Sequence, residues 1–378
     1  MAWTKRIEKR AKRFGVWALR LFFRPEELRK ADFDRDGVHK ILIVRLDHRI
    51  GNLVLITPLL GAIRAAFPEG HVSLLVGARF SELLSESPDI DELIVLRDRN
   101  VFAHPIRFFR FLHGLRKRAF DLTIDASSVH AFSFTHGYFT HATHAPFRVG
   151  YDRKDSDLFL NLRVPRPKEA LHEADFHLNL LRYLVDEIIE PPMRIPVSAM
   201  DRRRALQVFT NRGIGEHEFV VGMHLGGRRG KRWLVERFAA LADRLRSEFG
   251  VRVVALWGPD EEQVIRLFRA ETHTDPIMIA PNSVGHLSAL IERCHVFICG
   301  DTGPMHLAVA LDVPTIAIFL VEDFRRYGPR GPSHRIVFDP EGKVTVEDVL
   351  FAFRDIMKQS SPEPGVKKIE NHVKREIG

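Results

Sequence analysis

Asp301-Thr302-Gly303-Pro304, with His306 close behind, is the stretch of this sequence best equipped for chemistry. It follows an apolar, β-rich run from His295 to Cys299 and precedes a helix-forming stretch and a second such run, Thr315 to Phe319. Asp and Thr suit an N-cap, and Pro304 suits a first helical turn, where its missing N–H costs nothing. Gly300 and Gly303 leave the free N–H groups of that turn open to an anion, which the helix dipole also favours. His306, one turn in, would point back at the same place. The spacing predicts a seat for a diphosphate. Capping alone also explains Asp301, Thr302 and Pro304, so the reading needs partners elsewhere in the chain.

Three other loops offer them. His224 to Trp233 (HLGGRRGKRW) leaves a strand as a glycine-rich basic loop, with Lys231 a natural cation for a leaving diphosphate. It is not a Walker A loop: its glycine spacing is one residue short, and Arg232 stands where a magnesium-binding Ser or Thr is needed. Leu256 to Glu262 ends another strand in a Gly-Pro turn followed by acids. A carboxylate there can accept both ribose hydroxyls, although helix N-terminal acids also simply complement the dipole. In the first half, Arg45-Leu46-Asp47-His48-Arg49-Ile50-Gly51-Asn52 puts acid, base and cation beside a glycine, suited to proton transfer and anion contact. A tight turn with an internal Asp–Arg pair would use the same residues.

The elements that must hold these loops follow a repeating pattern. Strand signals at 40–44, 72–76, 94–96 and 122–125 alternate with helical stretches at 53–67 and 81–87. The pattern restarts with strands at 219–224 and 251–256 and helices at 234–249 and 261–270. Such alternation predicts an α/β chain with two doubly wound parallel sheets, and a ligand cleft at the carboxyl ends of their strands. The Pro-rich link Glu190–Pro196 marks the division. The expected organisation is a basic amphipathic segment over 1–37, a first domain over 38–192, a second over 193–358 and a polar, mobile tail over 359–378.

Composition limits the partners. The 378 residues are 45% hydrophobic and 28% charged with a net charge of +8, which points to an anionic partner. No apolar run approaches the roughly 18 residues of a spanning helix, and no secretory leader is evident. Lys5, Arg6, Lys9, Arg10, Lys12 and Arg13 share a segment with Trp3, Ile7, Ala11, Phe14, Ala18 and Leu21 at helical spacing. Residues 1–24 are therefore expected to lie on an anionic membrane surface, the other reading being a helix packed on its own domain. Nucleic acid is not expected, because no RNA-binding pattern of aromatic and basic residues follows. Cys294 and Cys299 fit neither a disulfide framework nor a metal site and suit a reducing cytosol.

Two metal motifs fail on inspection. Asp32 to Gly37 copies the start of an EF-hand, but its twelfth position is Ile43 where a bidentate Glu is required. His136, His141 and His144 cluster without close carboxylate or cysteine ligands.

Taken together, the blocks Ile41–Pro68, His224–Leu241, Leu256–Glu261 and Gly300–Phe319 resemble glycosyltransferase family 9, the bacterial lipopolysaccharide heptosyltransferases and their relatives. The resemblance spans about residues 39 to 357. It implies the GT-B architecture of two facing Rossmann-like domains, an inverting mechanism and no metal or other cofactor. It implies that Asp301, Thr302, Gly303 and His306, with Gly227, contact the diphosphate and sugar of a nucleotide-sugar donor, most simply ADP-heptose. Lys231 would neutralise the departing phosphate and Glu261 would hold the ribose. One departure matters: the family's first loop usually ends in Gly-Asp, the Asp serving as base, whereas this chain has Gly51-Asn52. Asp47 is the expected replacement, with His48 and Asp125 in reserve. Arg45, Arg49, Arg64 and Asn52 are expected to meet an anionic glycolipid acceptor such as a phosphorylated lipopolysaccharide core, at the cytoplasmic face of the inner membrane. The alternatives are another nucleotide sugar on the same scaffold, or a binding protein whose catalysis was lost with the Asp.

Overall fold

A computed structural model describes residues 27–97, 104–227, 230–258 and 261–360. The expected membrane-binding segment 1–24 and most of the tail lie outside them. The first half contains β1 (Lys40–Arg45), α1 (Ile50–Val54), α2 (Thr57–Ala66), β2 (His71–Gly77), β3 (Glu92–Leu96), α3 (Pro105–Lys117), β4 (Leu122–Asp125), α4 (Phe134–Ala142), β5 (Phe147–Tyr151), β6 (Leu162–Val164) and α5 (Glu173–Leu184). The second contains α6 (Ala199–Asn211), β7 (Val220–His224), α7 (Val235–Phe249), β8 (Arg252–Leu256), α8 (Glu262–Glu271), β9 (Ile277–Ile279), α9 (Val284–Glu292) and β10 (Val296–Gly300). It continues with α10 (Gly303–Ala310), β11 (Thr315–Phe319), α11 (Phe324–Tyr327), β12 (Arg335–Phe338) and α12 (Val346–Ser360).

Each half forms one six-stranded sheet, ordered β3-β2-β1-β4-β5-β6 and β12-β11-β10-β7-β8-β9, every pair parallel. The central strands β1 and β10 are buried along almost their whole length, which is why they read as unbroken apolar runs rather than alternating ones. The order in which strands are added reverses between β1 and β4 in one sheet and between β10 and β7 in the other. Ligands of doubly wound sheets bind at such switch points. The loops after β1, β7 and β10, which carry most of the candidate residues, all leave strands at those positions, and Glu261 follows the neighbouring β8.

The expected helix over 53–67 is two helices. Thr57 Oγ1 donates to the Val54 carbonyl and Pro58 stands in the first turn of α2, so α1 becomes a separate short element that packs on the other domain. The stretch at 81–87 forms a 3-10 helix, Ala78–Leu84. Strands β5, β6, β9 and β12 and several helices gave no recognised sequence signal.

The two halves touch in several places. Helix α1 packs on α10, and Leu53, Val54 and Ile56 share an apolar core with Met305, Leu307 and Ala308. A Cβ at Gly51 would lie 2.5 Å from His306 Cδ2, and one at Gly303 would collide with Ile50 Cγ2. Glycine is needed at both positions to let the helices approach. A second row of contacts joins α5 to the segment around α11. His172 donates to the Gly328 carbonyl (3.1 Å), Arg326 pairs with buried Glu173 (2.8 Å) and Arg330 with Asp175 (2.9 Å).

Candidate functional site

Between the sheets lies a cleft of about 1090 Å³. His48, Arg49, Gly51, Asn52, Arg79 and Glu82 line it from the first domain. His224, Gly227, Lys231, Trp257, Glu261, Asp301, Thr302, Gly303, His306, Asp323 and Arg326 line it from the second. The structure thus gathers every predicted donor residue on one wall.

Their side chains are not arranged as helix caps. Thr302 occupies the N-cap of α10 but makes no capping bond; its hydroxyl donates to the Gly300 carbonyl (3.3 Å). Asp301 instead accepts from Lys231 Nζ at 2.7 Å. Pro304 has no N–H and the Met305 N–H is bonded to the Thr302 carbonyl (3.2 Å), so at the start of α10 it is the Gly303 N–H, with the dipole, that is left for a ligand. Lys231 also pairs with Asp323, a residue for which the sequence gave no signal because it stands far along the chain on no recognised motif. Burial would lower the Lys231 pKa, but hydrogen bonds and charge from Asp301 and Asp323 raise it instead, so the ammonium persists.

Glu261 is seated by its neighbours. Its carboxylate accepts the Gly258 N–H (2.7 Å) and lies 3.4 Å from His224 Nε2. Gly226 provides the space, since a Cβ there would overlap the carboxylate. Burial opposes the charge, yet the His224 and Gly258 bonds together with Arg232 hold the Glu261 pKa down to about 2. Such a fixed anion is an acceptor for paired hydroxyls. Trp257, beside Glu261, adds an aromatic wall that the sequence reading passed over although its motif contained it. Burial pushes His306 down to about 4, so it faces the cleft as neutral imidazole.

The opposite wall departs from expectation. Asp47 does not line the cleft: its carboxylate meets Arg45 Nε at 2.9 Å. Arg45 is 1% exposed and donates into its own domain, to the Ala126 carbonyl. It cannot reach an acceptor phosphate, and its pairing leaves Asp47 poorly placed as a base. The internal Asp–Arg turn is what these two residues form. Arg64 likewise turns away, bonded to Asp91 and to the Gly70 carbonyl (2.8 Å) outside the cleft. Asp125 is fully buried, held by Arg153 (2.8 Å) and by the Ser127 N–H (2.9 Å). His48, Arg49 and Asn52 remain in the cleft, joined by Arg79, which no sequence motif flagged.

His136, one of the clustered histidines, is structural. Its Nε2 accepts the Leu46 N–H at 2.9 Å, so Nδ1 carries the proton and donates to Ser133 Oγ at 2.8 Å. Burial keeps it neutral, and it anchors the start of the β1–α1 loop.

The sequence model described as glycosyltransferase family 9 (heptosyltransferase) matches residues 108–348. A lipopolysaccharide heptosyltransferase 3 of Escherichia coli is 23% identical over 72% of this chain and 81% of its own length. The lipopolysaccharide core heptosyltransferase OpsX of Haemophilus influenzae is 22% identical over 79% of this chain and 83% of its own. A glycosyltransferase family 9 structure from Veillonella parvula superimposes with a TM-score of 0.76 at 22% identity, covering 85% of this chain and 98% of that one. The ADP-heptose lipopolysaccharide heptosyltransferase II of E. coli gives 0.70 at 20% identity, covering 85% and 99%. The architecture is GT-B.

Proposed function

The chain belongs to glycosyltransferase family 9 and is a glycosyltransferase, and we propose that it is an inverting, metal-independent enzyme that moves heptose from ADP-heptose onto a lipopolysaccharide core or related glycolipid. The observation that carries this reading is the Lys231–Asp301 pair at the uncapped start of α10, inside the cleft between the domains. The diphosphate rests on the Gly303 N–H at the start of α10 and on Lys231, which offset the charge that develops as the sugar departs. Glu261 accepts the ribose hydroxyls, and Trp257 stacks on the nucleobase. Thr302 and His306 flank the transferred sugar. The named substrates of the relatives, a lipopolysaccharide and in one case ADP-heptose, favour this donor and acceptor. The reaction takes place at the cytoplasmic face of the inner membrane, where a lipid-linked acceptor of that kind is presented.

Inversion needs the acceptor hydroxyl to attack opposite the leaving group, with a proton acceptor on the first-domain side. Asn52 is neutral and Asp47 is tied to Arg45, while Glu82 is engaged by the Val284 N–H (3.1 Å). His48 is the exposed, protonatable side chain of the β1–α1 loop left facing the cleft, and we assign it the base. Arg49 and Arg79 take the acceptor's phosphates.

Purified protein should be offered a nucleotide-sugar panel with a deep-truncated core acceptor, with products read by mass spectrometry and anomeric configuration by NMR. Inverted heptosyl product, unchanged by chelators, is expected. Donor binding without turnover across the panel would instead favour a binding protein. His48→Ala should lower kcat by about 10²-fold or more, and adding Asn52→Asp to that variant should restore part of it. Full activity in His48→Ala would remove His48 as base.

A further inference from the structure

We propose that the start of α3 docks on the surface of an anionic phospholipid bilayer. Within this helix, Phe108, Phe111, Leu112 and Leu115 face the apolar core shared with β1, β2 and β3. The opposite side is unlike an ordinary solvated face. Ile106 is 76% exposed and Phe109 is 67% exposed, one turn apart at the helix start. Around and behind them stand Arg107, Arg110, Arg116 and Lys117, all exposed, and the helix holds no acidic residue.

Scattered exposed apolar residues are normal on soluble proteins. Two large ones together, ringed by cations of one sign, form instead the pattern of a helix lying at a lipid headgroup boundary. The charge selects the occupant: a protein interface core is typically depleted of charge, whereas anionic headgroups gain from every Arg and Lys in this ring.

Position gives the surface a use. All six strands of the first sheet are parallel, so β3 ends on the same edge as β1 and β2, whose following loops line the cleft. Helix α3 follows β3, so Ile106 and Phe109, at its start, stand toward that same rim of the sheet. A bilayer touching this rim would hold the cleft mouth toward any lipid-linked molecule in it. This surface does not depend on which sugar is transferred.

The test uses the full chain with Phe109→Cys or Ile106→Cys carrying an environment-sensitive fluorophore; Cys294 and Cys299 are buried. Glu271→Cys, at the end of α8, is the control. With phosphatidylglycerol-containing vesicles, the labels at 106 and 109 should shift to the blue and be quenched by a lipid-borne quencher, while position 271 stays unchanged. Phosphatidylcholine vesicles should give little response, and Arg107→Glu/Arg110→Glu should abolish it. Ile106→Ser/Phe109→Ser should lower vesicle partitioning about tenfold or more and leave transfer to a water-soluble acceptor unchanged. Vesicle binding with silent labels at 106 and 109, no vesicle binding at all, or loss of a dimer in the Ser pair without any lipid response would each overturn the proposal. Failure of sugar transfer alongside responsive labels would count against the function above, not against this surface.

Discussion

The β10–α10 and β1–α1 loops are built alike and finished differently. Each leaves a central strand of a parallel sheet through a short loop and starts a helix, and the two helices meet at Gly51 and Gly303. The β10–α10 loop arrives charged: Asp301, Asp323 and Lys231 already form an ionic cluster beside the Gly303 N–H. The β1–α1 loop turns its strongest charges inward, Arg45 onto Asp47, and offers the cleft His48, Arg49 and neutral Asn52. A preorganised site costs no rearrangement when charge develops on the leaving group. The donor wall is therefore prepared in advance, whereas the acceptor wall waits for its substrate to supply charge.

That contrast can be broken from its strong side first. Lys231→Met should cut kcat/KM by about 10²–10³-fold in steady-state transfer assays, because Asp301 and Asp323 would then face the diphosphate without a cation. A small loss would mean that the helix end alone carries the anion.

Next comes the seam between the loops. Gly303→Ala forces a methyl into Ile50 and should destabilise the fold by about 1–3 kcal/mol. Thermal melting and donor titration together would show it, with both Tm and donor affinity falling. An unchanged Tm would mean that the α1–α10 contact opens freely.

Acid exposes a wider effect. Burial lowers His136 and His177 and holds His141, His172 and His306 down, the last three to about 4. The unfolded chain takes up these protons first, near the ordinary imidazole value of about 6.5. Stability is then complete above that value and is lost as pH falls toward 4. Melting curves across this window should show a steep fall, which Phe at His177 would lessen.

Arg64→Ala should do least. Its partner Asp91 and the Gly70 carbonyl lie outside the cleft, so acceptor kinetics stay as they were and stability drops by about 0–1 kcal/mol. A raised acceptor KM would put Arg64 back in the site.

The same asymmetry explains what could be read from the residues alone. The sheets, the cleft and the donor wall were legible because parallel strands impose continuous apolar runs, and a phosphate seat imposes glycine, N-cap and cation at close spacing. Asp323 and Arg79 were not, since only folding brings Lys231 to the first, and the second stands on a loop with no motif. Asp47 and Arg45 misled for a specific reason. A loop beside a glycine looks the same whether its ion pair faces the cleft or the core, and only the burial of Arg45 decides it. Helices α1 and α2 merged into one because Thr57-Pro58 can start a helix as well as continue an apolar pattern.

Among the described residues the two sheets exchange no strand: one is complete by Val164, and the other begins only at Val220. During synthesis the first domain can therefore finish pairing while the second is still being made. Helix α1 has then no partner until Gly303 emerges, so its apolar side waits uncovered through most of the second half's translation. The cleft is the last part of the enzyme to exist. A nascent chain stalled before α10 would have a folded first domain, be inactive and be sticky at one defined place.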